Sequence, residues 1–145
     1  MIFASDRHAL RRMFVDAWRK ARTGGVMEPL EVHIAEVIGE HPEYQAVLER
    51  PESALDRDYL PEAGETNPFL HMALHIAVRE QLATDRPAGI SHAFHALLAE
   101  YGERHDAEHV LLECLGEELW LAQRENRAPD EQAYLDRIRA RLSRR

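Results

Sequence analysis

A chain of 145 residues is long enough for one ordinary domain with a real core and short for two. Its 45% hydrophobic and 30% charged residues suit a globular protein, and no run approaches the roughly 18–20 apolar residues that cross a bilayer. The net charge of −8 argues against a general nucleic-acid binder, which needs a basic face to neutralise phosphates.

The Arg-rich end from Arg137 to Arg145 is the local exception, and it reads as an exposed helix face with a basic tail. Lysine occurs once, at Lys20, against 17 arginines, a skew that points to base composition in the source genome. Cys114 stands alone, so it makes no intramolecular disulfide and no thiolate zinc site, and it counts as a buried apolar residue. The opening Met-Ile-Phe-Ala-Ser-Asp-Arg-His lacks a basic segment followed by an apolar run; the expectation is a cytoplasmic protein.

Taken in order, Ser5 can cap a first helix whose Leu10, Phe14, Ala17, Trp18 and Ala21 share one face, with Gly24-Gly25 as its stop. A second helix begins at Glu28-Pro29 and runs to His41, where Pro42 ends it. About 25 proline-containing residues follow as a connection, with a short helical turn from Glu43 to Leu48. Asn67-Pro68 starts the most apolar helix, which continues to about Ala83. After the turn Arg86-Pro-Ala-Gly89, a helix spans Ser91 to Tyr101 and stops at Gly102. The next runs from Glu103 to about Asn126, and the last begins near Asp130 with Tyr134, Leu135, Ile138 and Leu142 inward. No strand pattern competes. The expectation is an all-α single domain over residues 1–145, a bundle of five to six helices with a four-helix-bundle-like core.

Two histidine pairs sit at helical spacing: His71 with His75, and His105 with His109. Four residues make about one turn, which puts each pair on one face with Cβ atoms roughly 5–6 Å apart. At about 100° per residue, His71 and His75 join Val78 and Leu82 in a narrow stripe, while Arg79, Glu80 and Gln81 lie off it. His105 and His109 share a face with Leu112, Gly116 and Leu119, bordered by Glu108 and Glu113, and this face is expected to point inward. His41 continues the stripe of Leu30, Ile34 and Val37, with His33 and Glu40 to one side. In a simple alternating bundle these five histidines meet at one end. His92 and His95 fall on a solvent-facing side.

Several buried imidazoles without partners would cost about 1–3 kcal/mol each against a total stability of roughly 5–15 kcal/mol, so they must be satisfied. A metal does this, since neutral imidazole is the commonest metal ligand. A network of hydrogen bonds to carboxylates does it as well. The expected ligands are His71, His75, His109 and Glu113, then His41 and His105, with Glu108 and Asp106 orienting them. The expected metal is a divalent transition ion: zinc, iron, nickel or manganese. Three imidazoles and a carboxylate suit an ion with an open position for water, oxygen or a small substrate, with Glu108 or Glu113 as proton acceptor. The alternative is a non-enzymatic helical interaction module whose His and Glu groups form a structural or pH-sensitive network. No phosphate loop, nucleophile elbow or dinucleotide fingerprint offers another cofactor. The first helix, with Phe14 and Trp18, and the last can pack within the chain or in a homodimer.

The spacings His71-x-x-x-His75 and His109-x-x-x-Glu113 resemble those of hemerythrin-like di-iron bundles, although a closing His-x-x-x-x-Asp is lacking. They also resemble the damage-inducible helical bundles that hold one divalent ion with three histidines. A second resemblance covers most of the chain. Asp16-Ala-Trp-Arg, His41-Pro-Glu-Tyr, Asp58-Tyr-Leu-Pro, Asn67-Pro-Phe-Leu-His-Met with His75, Arg79-Glu-Gln, Asp85-Arg-Pro-Ala-Gly, Glu108-His with Glu113-Cys-Leu, and Pro129-Asp-Glu are similar to a bacterial family of small proteins catalogued as a domain of unknown function. That resemblance implies no activity.

Overall fold

The computed structural model describes residues 7–50 and 67–143, and among them it contains seven helices and no strand. These are α1 (Arg7–Thr23), α2 (Pro29–Gly39), α3 (Pro42–Leu48), α4 (Pro68–Thr84), α5 (Ile90–Tyr101), α6 (Arg104–Arg124) and α7 (Glu131–Ser143). The protein is all-α, as its periodicity predicts, with a short helix where only a turn was expected. The Ser5 cap and Asp58-Tyr-Leu-Pro lie outside the described residues. Among those residues no helix is long and apolar enough to cross a membrane.

The backbone divides into two compact units between Ile76 and Ala77, so α4 gives its first half to one and its second half to the other. In the first unit α1 packs on α2, and Phe14, Ala17, Ile34, Val37, Ile38, Leu48, Phe69, Met72, Ala73 and Ile76 form one buried cluster. Phe14 meets Phe69 edge to face at 6.0 Å, an arrangement that aromatic quadrupoles favour. Lys20 ties α1 to α2 by donating to Glu31 at 2.8 Å. Two expectations are corrected here. Leu30 is 43% exposed rather than part of the buried stripe, and Ala21 is exposed because α1 is already ending toward Gly24, whose φ of +75° only glycine adopts cheaply.

α2 stops at Gly39, two residues before the expected end, and His41 takes an extended φ of −128°. The cause is local. The Pro42 ring clashes with a helical conformation of the residue before it, while proline itself fits the first turn of α3. Asn67 caps α4 as its sequence suggests, its side-chain oxygen accepting the N–H groups of Phe69 at 3.0 Å and Leu70 at 3.2 Å.

In the second unit α5, α6 and α7 pack on one another. Asp85 shapes the entry to α5: its carboxylate accepts the N–H groups of Ser91 at 3.0 Å and Gly89 at 3.3 Å, which holds its pKa below the ordinary value. Gly102, with φ +80°, makes the reversal into α6. The buried face of α6 is Ala107, Glu108, Val110, Leu111, Leu112, Cys114, Leu115, Glu118 and Ala122.

Cys114 is among the most enclosed of these, and burial pushes its thiol up to about 11. Only the thiolate is nucleophilic. At pH 8 its reaction with iodoacetamide is expected to run on the order of a hundredfold slower in the folded chain than in urea. Equal rates in both states, followed by mass spectrometry, would contradict this burial.

Candidate metal centre

His41, His71 and His75 come together in the first unit, each offering a nitrogen within 4.8 Å of the others. Two come from one turn of α4 and the third from the joint between α2 and α3. Their rings form a closed set: His41 lies 5.2 Å from His71 and 4.8 Å from His75, and His71 lies 4.8 Å from His75, centroid to centroid.

The tautomer of a neutral His41 is set by the backbone. Its Nδ1 lies 2.7 Å from the Val37 carbonyl oxygen, which can only accept, so Nδ1 carries a hydrogen and in the neutral ring Nε2 keeps the lone pair. Among the described residues that Nε2 has no hydrogen-bond partner, although the residue is only 4% exposed. An orphaned acceptor in a core costs about 1–3 kcal/mol, a cost that a ligand at this nitrogen would offset. The early end of α2 creates the arrangement, because leaving the helix at Gly39 lets the His41 ring fold back over Val37.

His75 is 1% exposed and His71 half-buried, with their Nε2 atoms 3.2 Å apart. Two imidazoles bound to one tetrahedral zinc at 2.0–2.1 Å place their nitrogens about 3.4 Å apart. The α4 pair is therefore already spaced as a chelate.

Tyr44, one turn into α3, stacks on His41 at 5.5 Å with planes 10° apart and meets His71 edge-on at 6.0 Å. Burial, with Glu43 nearby, raises its phenol above the ordinary value, so it stays protonated at neutral pH. Sequence spacing alone did not single out Tyr44, although His41-Pro-Glu-Tyr places it three residues from His41.

The other expected ligands lie in the second unit and are not part of this trio. His105 is exposed and His109 half-buried, correcting the expectation that both face the core. The carboxylates explain the error: Glu108 and Glu118 take inner positions on α6, which rotates the histidine stripe outward. Glu108 accepts from Arg79 at 2.9 Å, and Glu113 is 62% exposed and accepts from Arg141 at 2.7 Å. Asp106 is exposed.

Comparison with curated proteins and with solved structures returns no match. Residues 6–140 match the family described as Domain of unknown function (DUF1841), and the chain belongs to that family.

Proposed function

We propose that this chain is a metal-binding helical protein whose site is the Nε2 triad of His41, His71 and His75, holding one divalent transition ion. The observation that carries the reading is the orphaned His41 Nε2, fixed as a lone pair by the Val37 carbonyl and packed against the other two imidazoles. Imidazole donors suit zinc, nickel and iron better than manganese, which prefers oxygen. Three protein ligands leave zinc a position for water, whose pKa then falls toward 7 and supplies a hydroxide near neutrality. Iron held by the same three imidazoles would supply redox chemistry instead.

One contact favours the alternative, a hydrogen-bond network in a non-enzymatic interaction module. The 3.2 Å separation of His71 and His75 Nε2 also fits a hydrogen bond between them. Elemental mass spectrometry of tag-free protein distinguishes the two. Near-stoichiometric metal is expected, resistant to a brief chelator wash, retained by His109→Ala and lost from His75→Ala. Folded protein that is metal-free and fails to retain added zinc, nickel or iron would sink the metal reading in favour of the network.

A further inference from the structure

Outside the trio, α6 carries a second histidine pair at the same spacing. The rings of His105 and His109 are 4.2 Å apart, centroid to centroid, with planes 51° apart. His109 Nδ1 lies 2.9 Å from the His105 carbonyl oxygen. That contact again requires hydrogen on Nδ1, so a neutral His109 carries its lone pair on Nε2. One helical turn sets the Cβ atoms roughly 5–6 Å apart, a span that two imidazoles can close around a single ion.

From these contacts we propose that His105 and His109 form a second, bidentate metal site, taking Cu(II), Ni(II) or Zn(II) with water in the remaining positions. Exposure of His105 gives the ion direct access to solvent. Exchange is therefore fast here, whereas an ion held by the enclosed His41 and His75 leaves only when the core opens locally. The N-terminal end of a helix disfavours a cation, and Asp106 in the first turn together with Glu103 offsets that effect. For a nitrogen site of this kind Cu(II) binds more tightly than Ni(II) or Zn(II). The chain thus holds two metal sites with opposite kinetics, one buried and one open.

The test is a Cu(II) titration of the metal-stripped, tag-free full chain, read by calorimetry and electron paramagnetic resonance, with circular dichroism to confirm the fold. Two equivalents are expected. One should be removed by chelator in seconds and show two nitrogen ligands; it should disappear in the His105→Asn, His109→Asn double variant and persist in His75→Ala. A single His105→Asn change should weaken that equivalent by roughly a hundredfold, since the chelate becomes a single contact. Should the double variant bind as many ions as the unaltered chain, with the same affinities, the proposal is overturned. If only one ion binds and the double variant loses it, this second site stands while the buried trio fails. If only one binds and only His75→Ala loses it, the reverse holds.

Discussion

His75→Ala protein is expected to gain no thermal stability from zinc, while the unaltered chain at a free zinc concentration a hundredfold above its dissociation constant gains about 2.7 kcal/mol. For a chain of this size that corresponds to a rise of roughly 5–10 °C in Tm. The comparison is made between metal-loaded and stripped samples of each variant, so the packing lost with the imidazole cancels. His75 is the most enclosed member of the trio and lies 4.8 Å from each of the other two rings. Its removal leaves two donors, from α4 and from the α2–α3 joint, in place of three. The His105 and His109 pair would also take zinc, so both chains carry the His105→Asn and His109→Asn substitutions in this measurement. An undiminished zinc-dependent rise in His75→Ala would remove His75 from the site.

Glu118→Ala is expected to cost about 3–5 kcal/mol, the usual penalty for breaking a buried ion pair from one side. The Glu118 side chain is 1% exposed and wholly engaged. One oxygen accepts from Arg127 at 2.6 Å and from the Asp130 N–H at 2.7 Å, and the other accepts from Arg137 at 2.6 Å. It thereby fixes the connection leaving α6 and the inner face of α7 at once. Those donors, Arg127 first, outweigh burial and hold its carboxyl at about 2, below the ordinary 4.5.

The sign of the pH dependence follows. A depressed carboxyl pKa stabilises the fold above about pH 4.5, and that contribution fades as pH falls toward 2. Urea denaturation at pH 7 should show the full loss in the variant, with the difference from the unaltered chain narrowing between pH 4.5 and 2. A loss under 1 kcal/mol at pH 7 would place Glu118 among ordinary surface pairs.

Periodicity read the helices closely because their ends carry strong local chemistry. Asn67-Pro68, Glu28-Pro29, Gly24 and Gly102 each act within a few residues and override little else. It also brought His41, His71 and His75 to attention, since all three lie on apolar stripes. What it misjudged was the rotation of α6. There Glu108 counted as polar margin and Glu118 was passed over, yet both lie inside, where arginines from other parts of the second unit neutralise them. A buried carboxylate with a distant arginine leaves no periodic trace. Arg11 is a parallel case in the first unit, 1% exposed with its guanidinium 4.9 Å over the Phe69 ring. The role of His41 was legible as a direction, whereas its tautomer depended on a backbone oxygen that became accessible only because Pro42 ends α2 early.

X-ray absorption of the zinc-loaded, chelator-washed chain bears most directly on the histidine triad. Three imidazole nitrogens at 2.0–2.1 Å are expected, with one nitrogen fewer or no bound zinc in His41→Gln. A spectrum dominated by carboxylate oxygens, or one unchanged by the His41 substitution, would contradict the site.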